Sequence, residues 1–196
     1  MTDWTSLDYA VVDVEGNGHR PPDMVELAVV SIVGGMIGEP VSWLVRPGQP
    51  ITPMAQRVHG ISNESVSTAP RFEDIKDDVL RALNASALVA HNAHVDVNVL
   101  QRKLVDWQCP EVFDTLKLSR RFVPDRMSHR LGALAEAFQL TADVPDGMRP
   151  HRAGYDALVA ARLFVHLATS PDAPRSLEEL RGLPVAGGGD EAATLF

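Results

Sequence analysis

Tyr9-Ala10-Val11-Val12 sets four apolar side chains in a row, and Asp13-Val14-Glu15 follows at once. Successive residues of a strand point to opposite faces of a sheet. An unbroken apolar run therefore needs cover on both faces, as the central strand of a layered α/β domain has. Asp13 and Glu15 stand two apart, so they project to one face while Val12 and Val14 pack on the other. Carboxylates emerging from such a strand need partners, and a divalent cation is a good one. The plainer reading is a pair of acids facing solvent at a strand end.

The remaining pattern extends the layered reading. Residues 24–33 form a second strand, and Gly34-Gly35 turns the chain into a third over about 36–45. Pro47, Pro50 and Pro53 make the next segment irregular. Phe72, Ile75, Val79 and Leu83 recur at helical spacing, which predicts an amphipathic helix over 72–84. Short strands are expected at 86–90 and 111–113, and helices near 94–107, 115–122, 129–139 and 152–168. Ser128 is the expected N-cap of the helix at 129–139. Strands first, then strand and helix in alternation, indicate an α/β domain with a mixed sheet. The pattern decays beyond Thr169, and Ala186-Gly187-Gly188-Gly189-Asp190 reads as a linker. The expected division is a domain over 1–170 and a flexible tail over 171–196.

Composition narrows the functional classes. No apolar run reaches the roughly 20 residues that cross a bilayer, and with no basic region and apolar stretch after Met1-Thr2-Asp3-Trp4 a signal peptide is not expected. Cys109 is the single cysteine, so no internal disulfide forms and a cytoplasmic setting is expected. The net charge of −8 disfavours a protein that clamps long duplexes by their phosphates. It is compatible with an enzyme that grips one strand end, where metal ions supply the local positive charge.

Two more acids and a histidine complete the candidate set. Asp96 falls in the first turn of its helix, a position that favours acids through the helix dipole alone. His91 and His94 have the spacing of a metal pair, but no third soft ligand is nearby, so they read as structural or polar loop residues. His151 and Asp156 lie five apart and cannot share one helix face. Both reach one site only if His151 sits on the loop and Asp156 inside the helix, and Pro150 supports a helix beginning just after it. Together, four carboxylates and one histidine suggest a metal-dependent phosphodiesterase.

In this order the motifs resemble those of the DEDDh 3′–5′ exonucleases, the group that contains the epsilon subunit of bacterial DNA polymerase III and ribonuclease T. Asp13 and Glu15 match the first motif, Asp96 in His91-Asn92-Ala93-His94-Val95-Asp96 the second, and His151 with Asp156 the third. Val25-Glu26-Leu27, Val58-His59-Gly60-Ile61-Ser62 and Asp114-Thr115-Leu116 also look like the family. The resemblance spans about residues 8–168 and implies a ribonuclease-H-like fold with a mixed five-stranded sheet. It further implies two Mg²⁺ or Mn²⁺ ions held by Asp13, Glu15, Asp96 and Asp156. His151 is then the general base, and nucleoside 5′-monophosphates leave a single-stranded 3′ end of DNA or RNA. Gly16, Asn17, Gly18, Val58, His59, Ile61, Asn92 and Val95 are the implied substrate-binding residues.

Two departures stand out. Gly16-Asn17-Gly18 replaces the Thr-Thr-Gly usual in the family, which adds backbone freedom. Val95 replaces the aromatic that stacks on a terminal base, a contact worth about 1–3 kcal/mol. These departures motivate the alternative of a catalytically weak module of the same fold that binds nucleic-acid ends or serves as a replication accessory. Lys117, Arg120, Arg121 and Arg126 form a modest basic stretch, read first as a solvated helix face and second as a strand contact. The terminal Ala192-Ala193-Thr194-Leu195-Phe196 faintly resembles peptides that dock on the bacterial sliding clamp, without their leading Gln.

Overall fold

A computed structural model describes residues 2–169 and 174–183. β1 (Tyr9–Gly16) pairs antiparallel with β2 (Met24–Val33). β2 also pairs antiparallel with β3 (Met36–Ile37) and β4 (Val41–Leu44). On its other side β1 pairs parallel with β5 (Ala87–Ala90), and β5 pairs parallel with β6 (Glu111–Asp114). The mixed sheet thus has six strands against the five expected. The third strand breaks at Gly38-Glu39-Pro40, because Pro40 has no amide hydrogen for the ladder. Pairing resumes in a shifted register, from Ile37 opposite Ile32 to Val41 opposite Val29.

The stretch expected to be irregular holds two short helices, α1 (Pro53–His59) and α2 (Asn63–Ser67). Thr52 caps α1, with Pro53 suited to its first turn, and Ser62 and Ser65 form a capping box on α2. Both are too short to show a full amphipathic period, which is why spacing alone does not reveal them. α3 (Phe72–Ala82) and α4 (His94–Lys103) cover one face of the sheet, against Ala10, Val12, Leu27 and Val29. α5 (Thr115–Phe122), α6 (Leu131–Ala137) and α7 (Ala153–Ala168) build the other layer, against Tyr9, Val11, Val30 and Val89. Ser128 is not the N-cap of α6: Arg130 holds that position, and Ser128 Oγ only accepts the Arg130 N–H at 3.4 Å.

α8 (Leu177–Arg181) lies within the segment expected to be a tail. Leu177 and Leu180 are buried in the same cluster as Trp4, Tyr9 and Phe164, and Leu177 N–H donates to the Thr2 carbonyl at 2.9 Å. A capping box at Ser176 and Glu179 starts the helix. The folded unit therefore runs past residue 170. Residues 184–196, with the glycine linker and the Leu195-Phe196 end, lie outside the described residues. Among the described residues no helix is long and apolar enough to cross a membrane.

Candidate metal centre

The acids meet where β1 runs out beside the start of α7. Tyr9 and Val11 face the α7 layer, so the alternation of the strand carries Asp13 and Glu15 to that same face. Ala153 and Ala157 press α7 onto the sheet, and Asp156 stands between them in the first turn. One carboxylate oxygen each from Asp13, Glu15 and Asp156 lies within 4.8 Å of the others. Asp96 arrives from the opposite layer, in the first turn of α4. It is only 5% exposed, and its Oδ1 accepts the Val14 N–H at 2.9 Å, which ties it to β1. His151 is exposed, with a left-handed φ of 61°, on the loop before α7. Its backbone N–H donates to Asp156 Oδ2 at 3.0 Å, and it lines the same cavity as Asp13 and Asp156.

Electrostatics sets this cluster apart from ordinary surface acids. Burial, then the charges of Asp96, Asp156, Glu15 and Glu26, hold the Asp13 carboxyl well above the usual range. Burial and the charges of Asp156, Glu26 and Asp96 push Glu15 up to about 8. Burial raises Asp96 to about 7 and Asp156 to about 6, against the lowering by the Val14 amide and by His151 respectively. Such a group stays ionised together only when positive charge is added. Hard oxygen donors within reach of one another fit a divalent cation, and this structure meets that requirement.

Glu26 is the residue whose part the sequence did not reveal. It sits opposite Glu15 in the β1–β2 register and is 3% exposed. Its carboxylate accepts two bonds from Arg152 Nε, at 3.0 and 3.2 Å, a further one from Nη2, and the Ala153 N–H at 2.9 Å. The first residues of α7 are thereby fastened to β2. Arg152 is also engaged by this contact, which leaves the neighbouring acids short of compensation. A lone charge inside the otherwise apolar Met24–Val30 run was the available signal.

The expected substrate residues divide by exposure. Asn17 is 1% exposed, and its side chain is occupied: Oδ1 accepts His19 N–H at 3.2 Å and Asp23 N–H at 2.9 Å, and Nδ2 donates to the Gln49 carbonyl at 3.3 Å. Gly18, with φ of 83°, presses against Thr52 and Ala55 of the α1 start. The Gly16-Asn17-Gly18 loop is therefore fastened by hydrogen bonds and close packing, where added freedom was expected. His59 is 2% exposed, with Nδ1 accepting the Ile61 N–H at 3.0 Å, and Ile61 is buried with Val25, Ile51 and Val66. Ile61 packs in that small core. Val58 and Val95 are exposed and remain open to one. Asn92 takes a left-handed φ of 66° and lines the cavity with Asp13. His91 lines the cavity that holds Asp13 and Asp156, and His94, the first residue of α4, lines another.

Known proteins resemble this chain in sequence and in fold. The RNase T family model, described as an exonuclease, matches residues 10–164. Exodeoxyribonuclease 10 of Escherichia coli (strain K12) is 33% identical over 175 residues, covering 89% of this chain and 75% of that protein. The 3′-5′ exonuclease DinG of Bacillus subtilis (strain 168) is 33% identical over 183 residues, yet the chain spans only 18% of its length. Among solved structures, exonuclease X in complex with 5′ overhanging duplex DNA aligns with a TM-score of 0.70 at 31% identity, over 84% of this chain and 93% of that one. The nuclease domain of 3′hExo, a DEDDh family member bound to rAMP, shares the fold at a TM-score of 0.67 and 18% identity, over 86% and 94%.

Proposed function

The chain belongs to the DEDDh 3′–5′ exonuclease family, and on that premise we propose that it removes nucleoside 5′-monophosphates from single-stranded 3′ ends of DNA or RNA. The observation that carries this reading is the convergence of Asp13, Glu15 and Asp156, from opposite ends of the chain, beside an open cavity that His151 also lines. Asp13, Glu15 and Asp156, with Asp96 beside them, would hold two divalent cations, Mg²⁺ or Mn²⁺. Bound there, the cations supply positive charge against the phosphate being cut and acidify the attacking water. His151 takes the proton of that water as general base. Its place on a loop tied to Asp156 by one backbone bond lets the imidazole approach while the acids stay fixed. Val58 and Val95 offer exposed apolar surface to the terminal base. The lone cysteine fits work in the reducing cytoplasm.

The test is an oligonucleotide labelled at its 3′ end, incubated with Mg²⁺ or Mn²⁺. Wild type is expected to release the labelled 5′-monophosphate, and Asp13→Ala to release none. No release by wild type, or equal release by both, overturns the proposal. Tight strand binding without turnover would favour the binding-module alternative.

A further inference from the structure

The cavity that contains the acids has a second wall for which the cleavage chemistry has no use. It measures about 820 Å³. That exceeds the needs of one phosphate and falls in the range of pockets that enclose whole organic ligands. Besides Asp13, His151 and Asp156, its lining includes Arg120 from the last turn of α5, and His129 and Arg130 from the loop into α6. This wall is held from behind. His129 Nδ1 lies 3.1 Å from Ser119 Oγ, and His91 Nδ1 lies 2.9 Å from Thr115 Oγ1.

The nearby arginines divide sharply. Arg121 donates to the carbonyls of Glu179 and Leu180, and its guanidinium lies 4.3 Å from the Phe122 ring centre. Arg126 lies 4.7 Å from the ring centre of Phe138. Both are engaged in holding the fold. Arg120 and Arg130 are exposed, and among the described residues neither has an acidic partner or an aromatic ring beneath it. Two uncompensated guanidinium groups share a cavity with the acids, in a protein of net charge −8. Cations among the acids neutralise the phosphate being cut. The phosphates of the strand that remains need positive charge of their own, and the planar fork of arginine matches phosphate oxygens.

We infer that this wall is a subsite for the backbone of the uncut strand, with Arg120 and Arg130 as its phosphate contacts and His129 beside them. The inference rests on the exonuclease reading and deepens it. The enzyme prefers a strand of several nucleotides over a dinucleotide or a mononucleotide ester.

The experiment compares the wild-type chain with Arg120→Ala/Arg130→Ala on three substrates in Mn²⁺: thymidine 5′-p-nitrophenyl phosphate, a thymidine dinucleotide and a thymidine hexanucleotide. The ester carries a scissile phosphate but no strand. The double variant is expected to lose about tenfold more kcat/KM on the hexanucleotide than on the ester, the size of one or two charged hydrogen bonds. Hexanucleotide binding, measured by anisotropy with Ca²⁺ in place of Mn²⁺, is expected to lose about 0.7 of salt slope per arginine. Arg→Lys at both sites is expected to restore the slope. Both arginines are exposed, so an unchanged melting temperature verifies the fold. Equal losses on ester and hexanucleotide, or no loss on either, overturn the subsite while the exonuclease reading stands. With an overhanging duplex run as a fourth substrate, a loss seen only there also overturns it, since the wall then serves the second strand. Failure of wild type on ester and hexanucleotide alike overturns the exonuclease reading and the subsite with it.

Discussion

At the residue scale, the proposed division of labour separates holding cations from moving a proton. His151→Ala is expected to lower kcat by about 10²–10⁴, the usual contribution of a general base, while Mn²⁺ binding measured by calorimetry stays intact. Loss of Mn²⁺ binding in that variant would show that His151 is a ligand instead. The acids make a separate pH prediction. Asp156, Asp96 and Glu15 have folded-state values pushed up to about 6, 7 and 8. A carboxyl raised in this way binds its proton more tightly folded than unfolded, so its stabilisation is present at low pH and lost as pH rises through the folded value. Without metal, the melting temperature of wild type is therefore expected to fall between about pH 5 and pH 8 more steeply than that of Glu15→Gln. Saturating Mn²⁺ should flatten the wild-type curve. Parallel curves for the two proteins in metal-free buffer would contradict this reading.

At the element scale, the site depends on how α7 is seated. Glu26 joins β2 to the residues that open α7, and Ala153 and Ala157 let the helix lie close to the sheet. Glu26→Gln is expected to cost about 1–3 kcal/mol by leaving Arg152 short of its charged partner, and to raise the Mn²⁺ concentration needed for half-maximal binding. A destabilised Glu26→Gln that binds Mn²⁺ as wild type would confine Glu26 to a purely structural part. Ala157→Leu is expected to cost about 1–3 kcal/mol by overpacking, read as a lower urea midpoint with the slope unchanged. Long, periodic elements were plain in the sequence: β1, β2, α3 and α7 lie close to where alternation and helical spacing put them. α1 and α2 were hidden because caps, not periodicity, define helices of one or two turns. Pro40 marked the break in the third strand, but its effect on register appears only once β2 is beside it.

At the scale of the whole molecule, strand alternation and a loop-to-helix spacing suggested where Asp13, Glu15 and Asp156 point, and the structure brings these three together, whereas Asp96 and the full set of five were legible only through the family resemblance. Asn17 and Ile61 were not legible as fold-holding residues. Burial depends on segments such as Gln49–Ala55 that return to cover them, and no local pattern records that return. Likewise, Arg120 and Arg121 are adjacent in sequence, yet only the placement of α8 engages one and leaves the other facing the cavity. The central claim is that distant acids share a pair of cations. Its most direct test is a calorimetric titration of Mn²⁺ into the wild-type chain and into Asp13→Asn, with thymidine 5′-monophosphate present. Two bound ions in wild type, and loss of both on replacing Asp13, are the predicted result. Absence of binding in wild type, or the same stoichiometry and affinity in both proteins, would contradict the account.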